Sequence, residues 1–441
     1  MSRPATLADW LAYLETLHPK AIAMGLDRVR EVRARMAWTL ACPVFTVTGT
    51  NGKGSTCAML ESILSAAGYR VGLYTSPHLL RYNERVRIAG RDASDDELLA
   101  AFVAVEDARV GARGSGGGTG EIALTYFEFG TLAALWLFAR AGLDALVLEV
   151  GLGGRLDAVN IVDADVAVVT SVDLDHLDYL GSTREDVGRE KAGIFREERP
   201  VVCADPTPTA AMLARAAELH APLLLIGRDY GFVPEGRQWQ YWSPATRRFG
   251  LPFPALRGDY QLANAATALA ALDLARERLP VAAGAIRDGL QSIALAGRFQ
   301  VLPGRPTVVL DVAHNPHAAR ALAGALGAMG YHAETYAVAG ILADKDIAGI
   351  IAALRARIDR WFVATLPGPR GSGAAQLAAA LEAAGIPAAA IRTFDDVASA
   401  LRAARAAAGD ADRIVVFGSF LTVAAALASL RSGHTPEQRH G

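Results

Sequence analysis

VTGTNGKGST, residues 47–56, sets one lysine among three glycines directly after the mostly apolar run 42–47. Glycines let backbone N–H groups wrap phosphate oxygens, and the start of the following helix adds a favourable dipole. The order strand, loop, lysine, helix is therefore that of a phosphate cradle built from Thr50, Asn51, Gly52, Lys53, Gly54 and Ser55. Lys53 reaches the outer phosphates, and Ser55 or Thr56 faces a metal. The spacing departs from G-x-x-x-x-G-K-[ST]: the first glycine is two residues too close, and Gly54 separates lysine from hydroxyl. A plain glycine-rich turn is the competing reading; the complete order of elements favours phosphate.

Outward from this loop, short β-branched runs alternate with Ala/Leu-rich segments of helical length. That alternation predicts an α/β chain with a mostly parallel sheet covered on both faces. Strands are expected at 44–48, 71–74, 145–149, 166–170, 200–203 and 223–226, with helices at 54–67, 125–140, 209–219 and 260–276. Over 231–256 the period is lost. Trp239, Tyr241 and Trp242 stand among polar residues and four prolines, which predicts a small antiparallel patch. Strands resume at 307–310, 336–338, 360–363 and 414–417. The seam 294–306 carries two Gly and two Pro, and divides an N-terminal P-loop domain, 1–297, from a smaller Rossmann-like α/β domain, 298–441. The glycine-rich stretch 110–120 reads as a mobile loop.

The chain has 441 residues, 52% hydrophobic and 20% charged, with a formal net charge of −2. Neither nucleic acid nor a membrane is an expected partner. The longest uncharged run, 414–430, is short for a spanning helix and reads as strand, turn and helix. No signal peptide is apparent at the N-terminus, and the three cysteines form no metal spacing. A cytoplasmic setting is expected.

Ligands of an open α/β sheet collect beyond the carboxyl ends of its strands. Glu149 ends an apolar strand, where a carboxylate is costly unless paired or metal-bound. With Ser76, it supplies the one or two protein oxygens that Mg²⁺ takes beside a triphosphate. His176 follows the strand at 166–170; imidazole suits softer metals, so spacing alone makes it a hydrogen-bonding residue. Lys191 lies in a charged helix and reads locally as a solvated lysine. Gly151-Leu152-Gly153-Gly154 lacks the third glycine of a dinucleotide fingerprint. In the second domain, Asp311, His314, Asn315 and His317 crowd one strand end before a helix that opens at Pro316. Capping explains Asn315 alone. Ser419, in another strand–turn–helix junction, is either a carboxylate-binding position or an ordinary turn residue.

Together the motifs resemble the folylpolyglutamate synthase/dihydrofolate synthase family, relatives of the cell-wall Mur ligases. The resemblance is carried in order by GLDRV (25–29), TGTNGKGST (48–56), TSPHLLRYNERVRI (75–88), LTYFEFGTLAA (124–134), LEVGLGGRLDAVN (148–160), DHLDYLG (175–181), GREKAGI (188–194), NAATALAAL (264–272), GRFQ (297–300) and DVAHNP (311–316). A small departure is Ile341, where the family has methionine.

The resemblance implies a two-domain ATP-dependent ligase. Its magnesium ligands fall on Ser76, Glu149 and His176, serving two ions, with K⁺ as a further cation. Lys191 falls on the family's N-carboxylated lysine, a modification that turns a cation into an oxygen ligand. Pterin contacts fall on Gly25, Leu26, Asp27 and Arg28, on Thr125, Tyr126, Phe127 and Glu128, and on Leu156, Asp157 and Ala158. Nucleotide contacts add Asn264, Arg298 and Asp311, with His314 and Ser419 on the glutamate side. The implied partners are small molecules (dihydropteroate, reduced folates, L-glutamate and ATP), and the implied state is a monomer.

In the implied reaction ATP phosphorylates a substrate carboxylate, and the amine of L-glutamate displaces phosphate from the acyl phosphate. Closure of one domain on the other would exclude water from that intermediate. Three rivals remain: a P-loop kinase or NTPase, a binding protein with a degenerate site, and a ligase confined to folylpolyglutamate synthesis. The first leaves DVAHNP and GLDRV without a role. Intact Lys53, Glu149 and Lys191 argue against the second. Against the third, the presence of both GLDRV and LTYFEF suggests the bifunctional type.

Overall fold

The computed structural model describes residues 3–111 and 120–432, so most of the stretch expected as a mobile loop at 110–120 lies outside the described residues. The chain divides into two units. The first holds Met1–Ala255 and Leu262–Ile293, the second Leu256–Gln261 and Ala294–Gly441.

In the first unit, eight strands form one sheet: β1 (Val44–Thr48), β2 (Val71–Tyr74), β3 (Val86–Ile88), β4 (Arg91–Asp92), β5 (Ala145–Glu149), β6 (Val166–Val169), β7 (Val201–Cys203) and β8 (Leu223–Leu225). Their order is β4-β3-β2-β5-β1-β6-β7-β8. From β2 to β8 all neighbours are parallel; β3 and β4 add an antiparallel edge. β1, β2, β5 and β6 are buried along their whole length, as continuous apolar runs require when helices cover both faces. The connection from β1 runs one way to β2 and that from β6 runs the other way to β7. A crevice therefore opens between β1 and β6 at their carboxyl ends.

Observed ends differ slightly from the sequence reading, for local reasons. β7 starts at Val201 because Pro200 has no N–H to give the ladder. The helix expected from 125 spans Tyr126–Phe138, since Thr125 is its N-cap, in a reciprocal capping box with Glu128. The helix after the glycine loop begins at Lys53, one residue earlier than expected.

The aromatic patch folds as a three-stranded antiparallel sheet: β9 (Gly231–Glu235), β10 (Gln238–Trp242) and β11 (Arg247–Pro252). Trp239 and Tyr241 are buried, and the Tyr241 hydroxyl donates to Asp273 at 2.7 Å. These aromatics serve packing.

The second unit has a six-stranded sheet: β12 (Gln300–Leu302), β13 (Thr307–Leu310), β14 (Thr335–Ala339), β15 (Arg360–Ala364), β16 (Ile391–Phe394) and β17 (Arg413–Phe417), ordered β12-β13-β17-β14-β15-β16. All pairs except β12–β13 are parallel. Its core gathers Val309, Leu322, Ala337, Ile350, Trp361 and Val415. No helix among the described residues is long and apolar enough to cross a membrane.

Candidate active site

The glycine loop lies in the crevice between β1 and β6, tied down from the β6 side. Thr50 N–H donates to Ser171 O at 2.8 Å, and Thr50 Oγ1 donates to Asp173 O at 2.9 Å. Asn51 N–H donates to Ser171 Oγ at 2.9 Å, while Thr170 Oγ1 donates to Asn51 O at 2.6 Å. Thr170 and Ser171 thus hold the cradle, a role the sequence reading did not assign; their only signal was two hydroxyls at a strand end. Gly49 is required here, because a Cβ would collide with Thr170 Oγ1 and φ is +152°. Asn264 also comes to this loop: a Cβ on Gly52 would lie 2.7 Å from its Oδ1. Lys53 Nζ donates to Gly49 O at 2.9 Å, so the lysine closes its own loop. Ser55 and Thr56 are buried in the first turn, and Thr56 Oγ1 has no hydrogen-bond partner among the described residues.

Beside this loop, β5 ends in Glu149, 4% exposed, whose Oε2 accepts the Ser76 N–H at 3.1 Å. The fold therefore brings the loop after β2 onto the end of β5. His176, after β6, takes the left-handed conformation (φ +53°) at the head of the helix Leu177–Leu180; its Nε2 lies 4.0 Å from Asp175. Among the described residues no three His, Cys, Asp or Glu side chains form a metal cluster. Ser76 and Glu149 stand at the ends of the neighbouring strands β2 and β5, and their oxygens suit a hard cation, which keeps several waters and needs few protein ligands; His176 stands beyond β6, across β1 from them.

Lys191 is not the solvated residue its helix suggested. The helix Arg184–Ala192 buries Val187, Gly188, Lys191 and Ala192, and Lys191 is 2% exposed. Burial, and then the nearby Lys53 charge, lower its pKa to about 7, against an opposing pull from Asp175.

Three segments distant in sequence meet at the same end of this unit. Arg28 Nη2 donates to Glu128 Oε1 at 2.8 Å, and Gly25 N–H donates to Leu156 O at 3.3 Å. Asp157 caps the turn Ala158–Ile161; burial raises its pKa to about 6 against backbone N–H donors. The Phe127 ring packs 6.1 Å from that of Tyr74 at a tilt of 39°, and a Cβ on Gly151 would lie 2.7 Å from the Phe127 ring, so steric fit accounts for that glycine. His78, quoted but given no role from sequence, accepts a hydrogen bond from Arg85 Nε at 2.8 Å. Burial and the Arg85 charge depress its pKa to about 4, keeping the ring neutral.

In the second unit, Asp311 follows β13. Its carboxylate accepts N–H groups of Phe299 and Ala313, each at 2.8 Å. Burial raises its pKa to about 6, opposed by Arg298. Arg298 stacks over Phe420 at 5.0 Å, and its buried Nη1 has no hydrogen-bond partner among the described residues, so it suits an anionic ligand. His314 Nδ1 lies 2.8 Å from Val312 O; a carbonyl only accepts, so Nδ1 carries a proton. Asn315 is the N-cap of the helix Pro316–Ala328. Ser419 is first a capping residue: Oγ accepts the Thr422 N–H at 3.0 Å and pairs with Thr422 Oγ1 at 2.7 Å.

Comparison with known proteins gives the class. The Mur ligase middle domain matches residues 47–272, and the Mur ligase glutamate ligase domain matches 297–420. Together they describe a Mur-type ligase. The dihydrofolate synthase/folylpolyglutamate synthase of Escherichia coli (strain K12) is 50% identical over 419 residues, covering 95% of this chain and 94% of the relative. The solved structure of E. coli FolC in complex with DHPP and ADP superposes with a TM-score of 0.90 at 48% identity, covering 98% of this chain and 99% of that one. A bifunctional folylpolyglutamate synthase/dihydrofolate synthase with Mn, AMPPNP and L-glutamate bound gives 0.87 at 48% identity, over 97% and 98% of the two chains. The chain belongs to the dihydrofolate synthase/folylpolyglutamate synthase family of Mur-type ligases, and is an ATP-dependent acid–amino-acid ligase.

Proposed function

We propose that this ligase joins L-glutamate to the carboxylate of dihydropteroate and to the γ-carboxylate of reduced folates, each through an acyl phosphate. The observation that carries this reading is that one unit holds both the Lys53 loop and the segments joined by Arg28–Glu128 and Gly25–Leu156, with Thr48 Oγ1 bonded to Gly153 O at 2.6 Å and the Lys53 charge acting on Asp157. A kinase or NTPase would need only the first. Gly25, Leu26, Asp27, Arg28, Thr125, Tyr126, Phe127, Glu128, Leu156, Asp157 and Ala158 would hold the pterin end. The amides of residues 50–55 and Lys53 receive the phosphates; Asn264, Arg298 and Asp311 serve the nucleotide. His314 and Ser419 are assigned to glutamate.

Ser76, Glu149 and His176 would hold divalent metal, which when bound neutralises charge on the transferring phosphoryl group. Lys53 adds a fixed cation where that charge develops. The acceptor carboxylate attacks the γ-phosphorus and ADP leaves. The glutamate amine then attacks the acyl carbon, the C–O bond to phosphate breaks, and an amide, phosphate and a proton are released. The working form is a cytoplasmic monomer.

The test is ATP-dependent phosphate release with L-glutamate, using 7,8-dihydropteroate or tetrahydrofolate as acceptor. Turnover with both is expected. Release that needs no glutamate would replace the ligase reading by an NTPase one, and turnover with tetrahydrofolate alone would leave one activity.

Lys191 is proposed to be N-carboxylated. A lysine with a pKa near 7 is substantially neutral at pH 8, and a neutral amine adds to CO₂ to give a carbamate and a proton. The Lys53 charge that repels the ammonium would attract the carbamate. Because the depressed pKa makes the neutral form grow as pH rises through 7, ¹³CO₂ at fixed dissolved concentration should give a stronger carbamate ¹³C resonance at pH 8 than at pH 6. The resonance should be missing in Lys191→Arg. No carbamate in the parent protein at pH 8 would sink the assignment.

A further inference from the structure

Among the described residues, Arg85 is a partly buried cation without an anionic partner. It ends the short 3-10 turn Tyr82–Arg85, and its carbonyl accepts the Thr75 N–H at 3.0 Å, which fixes it at the carboxyl end of β2 beside Ser76. The guanidinium carbon lies 5.3 Å from the Tyr82 ring centre and 5.5 Å from that of Tyr126. Nε donates to His78 Nδ1 at 2.8 Å. Nη1 and Nη2 make no hydrogen bond, and no carboxylate lies within 4.0 Å, among the described residues. The adjacent acid, Glu84, is turned away: its oxygens accept the N–H groups of Leu79, Leu80 and Arg81.

This arrangement is preorganised. Two aromatic faces and His78 hold the guanidinium plane, and the exposed pair of nitrogens is the fork that matches a carboxylate bidentately. It is flanked by Ser76, assigned to metal, and by Tyr126, assigned to the pterin side.

We propose that Arg85 binds a carboxylate of the acceptor substrate, an assignment that rests on the function proposed above. Dihydropteroate carries one carboxylate, the one that reacts. A folyl glutamate carries two, of which the α-carboxylate does not react. The two sources share one chemistry and are separable.

The experiment measures acceptor and ATP KM, kcat, and direct acceptor binding for the unaltered protein, Arg85→Gln and Arg85→Lys. In Arg85→Gln, acceptor KM and Kd should rise about 10- to 100-fold, as loss of a charge-assisted pair implies. ATP KM should stay within about twofold, since one lost carboxylate contact leaves phosphate binding intact. Arg85→Lys should recover part of the loss. An effect on both acceptors assigns the reacting carboxylate; an effect on tetrahydrofolate alone assigns the α-carboxylate. If Arg85→Gln does not fold, Arg85→Lys carries the test, since it keeps the charge over the rings but loses the fork. Unchanged acceptor KM in the folded variant, or a rise confined to ATP KM, would overturn the proposal alone. An unaltered protein that bound neither acceptor would overturn it together with the proposed function.

Discussion

Replacing Lys53 by alanine is expected to lower kcat by roughly 10³-fold or more with either acceptor. Lys53 is the one cation of the glycine loop, on the first residue of the helix Lys53–Ala66, and it bonds the Gly49 carbonyl at 2.9 Å. It must exchange that carbonyl for phosphate oxygen as ATP enters. In water such a contact is worth little; in a crevice between strands its charge meets the developing phosphoryl charge in a low dielectric. The structural cost is small by comparison, about 1 kcal/mol for a partly exposed hydrogen bond. The loop also keeps its shape through bonds of Thr50, Asn51, Thr170 and Ser171 to one another and to Asp173, beside the lysine's own bonds to the Gly49 and Thr50 carbonyls. The decisive measurement is single-turnover phosphate formation beside a thermal melt. A slow, well-folded variant is expected. Near-normal turnover would remove Lys53 from the site.

How much could be read beforehand depended on whether a residue's role was local. β1, β2, β5 and β6 are apolar runs buried on both faces, and such runs announce themselves. The edges did not. β4 is two exposed charged residues, Arg91–Asp92, and β16 is the mostly polar-facing Ile391–Phe394; each is a strand only because a neighbour offers it a ladder. The same division holds in the site. The glycine loop and the acid at the end of β5 carry their signal within a few residues. Arg28 with Glu128 does not, since no spacing rule links positions so far apart. Lys191 was the instructive case. Its helix is rich in charge, yet Val187 one turn earlier and Ile194 just beyond are buried, and a lysine on that stripe has no route to water. At Ser419 the sequence offered both a ligand position and an ordinary turn, and the hydroxyl takes part at least in the second, bonding Thr422 of its own helix.

Glu149→Gln should be nearly as damaging to turnover as loss of Lys53, for a different reason and with a different signature. The carboxylate ends β5, buried to 4% exposure, and Oε2 accepts the Ser76 N–H. Glutamine has the same shape and still offers an oxygen to that N–H, so the loop after β2 should stay in place. What is removed is the negative charge. The variant should therefore stay folded, with turnover lost and the melting temperature close to that of the parent, a combination that a merely structural acid would not produce. Turnover should fall roughly 10²- to 10³-fold at ordinary magnesium, as expected when stabilisation of developing phosphoryl charge is lost. The half-saturating Mg²⁺ or Mn²⁺ concentration should rise, and excess metal should recover part of the rate. A titration of activity against metal, run with a thermal melt on the same samples, separates the possibilities. A lowered melting temperature with unchanged metal dependence would make Glu149 a structural acid.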